Sequence, residues 1–130
     1  MLRIVALLLF LAPLGCSVAP AGDDAAEATT DGGTWTLSVD PVQVALGWND
    51  LAITIRDADD AIVQGLEVDA DLQMPSMGHG SSEPVTTTEQ GDGVYVVRGY
   101  FQMSGAWLLE GTVTDAASSE AFAVDVEAVE

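Results

Sequence analysis

The chain has 130 residues, with three Lys and Arg against twenty-one Asp and Glu, one His, one Cys and a formal net charge of −18. A field of that sign repels nucleic acid and anionic membrane surfaces, so polyanion binding drops out of the functions to consider, while cations are attracted non-specifically. The length leaves room for one domain, and a single cysteine allows no intramolecular disulfide.

The first residues, MLRIVALLLFLAPLGC, carry Arg3, an apolar run from Ile4 to Leu14 and a small residue before Cys16. A positive start, a short apolar stretch and a processing site together read as a secretory signal over residues 1–15. The apolar run is about half of the ~20 residues that a spanning helix needs, so it is not read as a permanent anchor. PLGC resembles a bacterial lipobox, departing from it at Pro13, where leucine is usual. The resemblance implies that Cys16 becomes the lipidated first residue of a protein tethered in the bacterial cell envelope, on the periplasmic side or in the outer membrane. The alternative is cleavage near Ala19 or Ala21 and a soluble secreted protein. Either way Arg3 is removed, and only Arg56 and Arg98 then oppose the acidic residues, all of which follow Cys16.

Residues 17–33, SVAPAGDDAAEATTDGG, have no apolar periodicity and are rich in Ala, Gly, Asp and Thr. They are expected to be a flexible, disordered tether, with Cys16 at its start, leaving residues 34–130 as the folded domain.

Beyond the tether the hydrophobic period is two almost everywhere. TWTLSV alternates Trp35, Leu37 and Val39 with polar residues, VQVAL follows Asp40-Pro41, and LAITIRD sets Leu51, Ile53 and Ile55 on one face before a DADDA turn. LEVDADLQM is the clearest strand, with Leu66, Val68, Ala70, Leu72 and Met74 facing one way. VTTTE is weaker and ends in Gly91-Asp92-Gly93, a hairpin signal. VYVVRGYFQM and WLLEGTVTD are separated by Ser104-Gly105, and EAFAVDVEAV aligns Phe122, Val124 and Val126. Seven or eight short strands with regular turn signals predict an all-β fold, an immunoglobulin-like antiparallel β-sandwich. Trp35, Phe101, Trp107 and Phe122 are its expected bulky core.

Between the strands one stretch changes character. LQMPSMGHG places Met74, Met77 and the only histidine, His79, within six positions. Alternation points Met74 inward at a strand end, Pro75 stops ladder pairing, and an extended glycine-rich loop would send Met77 and His79 the same way. Met103 ends another long strand; extrapolated alternation puts it on the face of Tyr95, Val97, Gly99 and Phe101, opposite Arg98. Thioethers are soft, uncharged donors that favour Cu(I), and imidazole suits copper as well as zinc. Structural zinc would want thiolates or several imidazoles. Met77, His79, Met103 and Met74 are therefore the candidate metal ligands, with copper, favoured as Cu(I), the candidate cofactor. A non-functional reading stands beside each: gap-filling core for Met74, a solvated loop residue for His79, packing near Trp107 for Met103. Met77, in a polar loop, has no obvious apolar neighbour.

MPSMGHG, followed by GYFQMSGAW, resembles the YtkA-like domain family, small immunoglobulin-like domains of bacterial exported proteins and lipoproteins related to the FixH group. The resemblance extends through GWNDLAITIRD, GDGVY and Phe101, Met103, Gly105 and Trp107. It implies a role in copper or heavy-metal handling at the cell envelope, with the methionines and histidine as ligands, and imports no hydrolytic or redox reaction. Ser81 and Ser82 lack the base-plus-orienter arrangement of nucleophilic catalysis, and DADD at 57–60 lacks the rest of a calcium loop. The expected protein is thus not an enzyme. It is a lipid-anchored copper buffer or chaperone serving a copper transporter, efflux or oxidase-assembly protein. The alternative is a non-metal interaction module of an efflux or cytochrome oxidase assembly system.

Overall fold

Alternating apolar and polar residues are folded into ten β-strands in the computed structural model, which describes residues 25–130. They are β1 (Ala26–Thr29), β2 (Thr36–Asp40), β3 (Gln43–Ala45), β4 (Gly47–Arg56), β5 (Glu67–Met74), β6 (His79–Gly80), β7 (Thr86–Glu89), β8 (Val94–Phe101), β9 (Gly105–Thr114) and β10 (Ser119–Val129). The expected signal segment, Cys16 and the first part of the expected tether lie outside the described residues.

One sheet has the order β1-β2-β4-β8-β7 and the other β3-β10-β9-β5-β6. Without the short strands β1, β3 and β6, the two layers become four strands against three, in the ABED and CFG order of the immunoglobulin fold. Three features differ from the expectation. The strands number ten rather than seven or eight, and β3 pairs parallel with β10 while the other neighbours are antiparallel. The third concerns the boundary at Thr34. The folded part starts earlier, because β1 pairs with β2 in register Ala26↔Val39 to Thr29↔Thr36.

The early start has a specific cause. Along β10 the inward positions are Glu120, Phe122, Val124, Val126 and Ala128, so one carboxylate faces the interior. It accepts hydrogen bonds from the Thr30 hydroxyl at 2.7 Å, the Thr34 amide at 3.1 Å and the Thr34 hydroxyl. Gly32 lies so close that a methyl group there would collide with the carboxylate. The Thr30 hydroxyl, then the Thr34 hydroxyl, hold the Glu120 carboxyl below its ordinary range. Beside it the Asp31 amide donates to the Ala121 carbonyl at 2.9 Å, and the Ala121 amide to Asp31 Oδ1 at 3.0 Å. The TDGGT segment is thus a turn closed around a side chain of the last strand. Ala26 and Ala28 of β1 pack on the core as a result.

That core runs between the sheets. Trp107, Tyr95, Phe101, Leu37, Leu51, Leu72 and Leu109 are fully buried, and Phe101 meets Trp107 edge-on at 5.3 Å. Each such side chain contributes about 1.5–3 kcal/mol by leaving water. Tyr95 carries its polar end inward without penalty, since its hydroxyl accepts from the Leu66 amide at 3.0 Å and donates to the Val63 carbonyl at 3.1 Å.

Candidate metal-binding rim

Register fixes which strand ends meet. Gly47 at the start of β4 faces Phe101 at the end of β8, Gly105 at the start of β9 faces Ala128, and Gln73 near the end of β5 faces Leu108. The β5–β6 turn and the β8–β9 connection therefore occupy one end of the sandwich. Met74, Met77, His79 and Met103 all lie on that rim.

The β5–β6 connection is a tight turn rather than the extended loop expected from its glycines. The Met74 carbonyl accepts both the Met77 and Gly78 amides at 3.0 Å, and Gly78 takes φ of 68°, a left-handed conformation open to glycine. Pro75, with no amide hydrogen to offer, begins the turn. His79 then pairs directly across from Met74. Met74 is inward and only 3% exposed, and its methyl reaches towards Gly105, where an added Cβ would stand 3.4 Å from Met74 Cε. Met77, at the turn, is 52% exposed.

The imidazole of His79 is half-buried, with Nδ1 3.1 Å from the Gly80 carbonyl. A carbonyl only accepts, so in the neutral ring Nδ1 carries the proton and Nε2 keeps its lone pair. Histidines that ligate metals are held in this manner, one ring nitrogen donating to the protein and the other left for the ion.

Met103 departs from the extrapolated alternation. Strand β8 ends at Phe101, so Met103 is lifted out of the inward row and is 38% exposed. Its backbone remains anchored, because the buried indole of Trp107 donates Nε1–H to the Met103 carbonyl at 2.9 Å. The turn that lifts it ends at Gly105, with φ of 129°.

Two further side chains, Ser81 and Gln102, tie the segments of this end together. Ser81 donates its hydroxyl to the Tyr100 carbonyl at 2.6 Å, crossing from one sheet to the other. The side-chain amide of Gln102 donates to the Gly80 carbonyl at 3.0 Å and accepts from the Ser82 amide at 3.2 Å. Sequence reasoning passed over Gln102; its only signal there is its place beside Met103, and nothing in the sequence shows that it reaches β6.

Outside this network, Trp48 lies on the outer face of the first sheet at the same end, 46% exposed. It packs on Tyr100 at 5.3 Å, with the Arg98 guanidinium 5.0 Å from its ring and Asp50 holding that guanidinium at 3.2 Å. Of the five large hydrophobic residues exposed among the described residues, Leu46, Trp48, Met77 and Met103 belong to this end, and Ile62 to the other.

Among the described residues no group of three His, Cys, Asp or Glu is placed to hold an ion. What this end of the sandwich carries is thioether sulfur and one imidazole. That donor set fits a soft monovalent cation such as Cu(I), and is a poor match for zinc or calcium. A shallow depression of about 330 Å³ lies elsewhere, on the outer face of the second sheet, lined by Asp69, Asp71, Glu110 and Thr112. None of the rim donors lines it.

The fold defines a small immunoglobulin-like domain with Met74, Met77, His79 and Met103 at one end. The chain belongs to the YtkA-like family, whose model matches residues 27–111, a span that includes β5, the turn, β8 and Met103. Among solved structures, the Lin-41 filamin domain is similar at a TM-score of 0.49 and 17% sequence identity, over 68% of this chain and 83% of that chain. No curated protein matches the sequence.

Proposed function

We propose that this protein is a non-catalytic, lipid-anchored copper carrier of the bacterial cell envelope. It takes Cu(I) through the sulfurs of Met77 and Met103 and Nε2 of His79, with Met74 as an optional fourth donor from below. One observation carries the reading: the His79 ring donates Nδ1–H to the Gly80 carbonyl and so keeps Nε2 free at a rim shared with two exposed thioethers. The family membership is consistent with it. Thioethers carry no proton, so the sulfur donors load and release an ion without proton exchange. Met77 and Met103 stand at the surface, where a second protein's donors can replace them one at a time. That suits a buffer or chaperone that hands its ion to a copper transporter, efflux or oxidase-assembly protein. Export from the cytosol, with Cys16 as the lipidated residue, would place the carrier beside such partners and explains a donor set of thioethers in place of oxidisable thiols.

A second reading has its own support. Trp48, Tyr100 and Arg98 are the residue types that dominate protein interfaces, and here they form one surface cluster, the Trp48 and Tyr100 rings packed at a tilt of 59° beneath the Arg98 guanidinium. On that reading the domain is an interaction module of an efflux or oxidase-assembly system, and the methionine turn is a contact loop. Anaerobic titration with Cu(I) against a competing chelator separates the two. The carrier reading expects tight binding that is lost in Met77→Ala/His79→Ala. Equal binding by wild type and variant removes it.

A further inference from the structure

We infer that Gln102 is the positioning residue of the rim: its amide fixes the carbonyl that sets the tautomer and aim of the His79 ring. The consequence for metal rests on the carrier reading above; the geometry does not.

The hydrogen-bond arithmetic is closed. The Ser82 amide can only donate, so the Gln102 atom facing it at 3.2 Å is Oε1, and Nε2 is thereby turned to the Gly80 carbonyl at 3.0 Å. That carbonyl has two lone pairs and two donors, Gln102 Nε2–H and His79 Nδ1–H, the latter at 3.1 Å. Strand β6, which presents both His79 and the carbonyl, is two residues long at a sheet edge. Two residues of pairing do not hold a peptide plane firmly, and a carbonyl free to tilt would no longer meet Nδ1. Gln102 supplies the missing restraint from the opposite layer, since it follows directly on Phe101, the last residue of β8.

The same bridge couples the two halves of the donor set. Gln102 adjoins Met103, whose own carbonyl is held by the Trp107 indole. One amide therefore joins the segment carrying Met77 and His79 to the segment carrying Met103. Positioning contacts of this kind tune affinity without touching the ion, and their loss typically costs 10–100-fold in metal binding.

The test uses two variants and two readouts. Gln102→Met keeps the length of the side chain and removes both hydrogen bonds. Gln102→Glu keeps the acceptor for Ser82 and puts a charged acceptor in place of the donor to Gly80. In the metal-free wild-type protein with the ring neutral, imidazole ¹⁵N spectra should show His79 predominantly in the Nδ1–H form. Gln102→Met should shift it towards the Nε2–H form that free histidine prefers. Affinity for Ag(I), a redox-stable stand-in for Cu(I), should fall about 10–100-fold in both. An unchanged tautomer in Gln102→Met overturns the inference, as does an affinity in Gln102→Met equal to that of a silver-binding wild type. A wild type that binds no Ag(I) while Gln102→Met shifts the tautomer removes the carrier reading and leaves Gln102 in its positioning role.

Discussion

Replacing Trp107 with phenylalanine tests how the rim is attached to the core. The indole is buried, touches Phe101 edge-on at 5.3 Å and donates to the Met103 carbonyl at 2.9 Å. Phenylalanine keeps an aromatic ring against Phe101 but removes two carbons and the donor. Two buried carbons at about 0.8 kcal/mol each give about 1.6 kcal/mol. A neutral hydrogen bond adds about 1 kcal/mol, and incomplete closure of the void raises the sum to about 3 kcal/mol. With a urea m-value of about 1.5 kcal/mol/M, the unfolding midpoint should fall by about 2 M. Metal binding should weaken as well, because Met103 loses the tie that holds its backbone. A stability loss below about 1 kcal/mol would refute the assignment of the indole as the anchor of the β8–β9 connection.

Other expectations follow from the same contacts. Tyr95→Phe leaves the Leu66 amide and Val63 carbonyl without their shared partner and should cost about 1–3 kcal/mol in urea unfolding. Gly111→Ala drives a Cβ into the Asp69 carbonyl and the Ala70 backbone, so the β5–β9 spacing must open, at about 1–3 kcal/mol by thermal or urea melts. Because its partners hold Glu120 below the ordinary 4.5, the native state releases its proton more readily than the unfolded chain. Its stabilisation is complete above that value and is lost as pH falls through the lower native one; Glu120→Gln should flatten this part of the acid unfolding profile. Tyr95 behaves in the opposite sense. Burial, and secondarily Glu89, raise its pKa above 10.0, so the native state holds the proton longer and stability should decline as pH rises past 10.0. A stability profile flat from pH 9 to 11 would contradict that sign.

The strands that build the site were legible because their alternation is strict. Leu66 just before β5, Ala70, Leu72 and Met74 on it, and Tyr95, Val97 and Phe101 on β8, face inward as period two requires, and Trp35, Phe101, Trp107 and Phe122 are buried. Alternation fails as a guide once the ladder stops. Extended past Phe101 it sends Met103 inward, whereas the turn ending at Gly105 lifts it to the surface. Likewise the glycines of MGHG suggested an extended loop, but the Met74 carbonyl captures two amides and folds the segment into a tight turn. Strand β1 escaped detection for a different reason. AEAT is too weakly apolar to announce itself, and the turn that folds it onto β2 is closed by Glu120, ninety positions after Thr30. The Gln102 bridge, twenty-two positions from Gly80, is equally non-local. Both depend on side-chain hydrogen bonds, which leave no period in a sequence.

X-ray absorption spectroscopy of the Cu(I)-loaded protein addresses the central claim most directly. Copper bound by Met77, Met103 and His79 should show a first shell of two sulfurs and one imidazole nitrogen, and Met103→Ala should remove one sulfur. A shell of oxygen and nitrogen alone, unchanged by Met103→Ala, would contradict it.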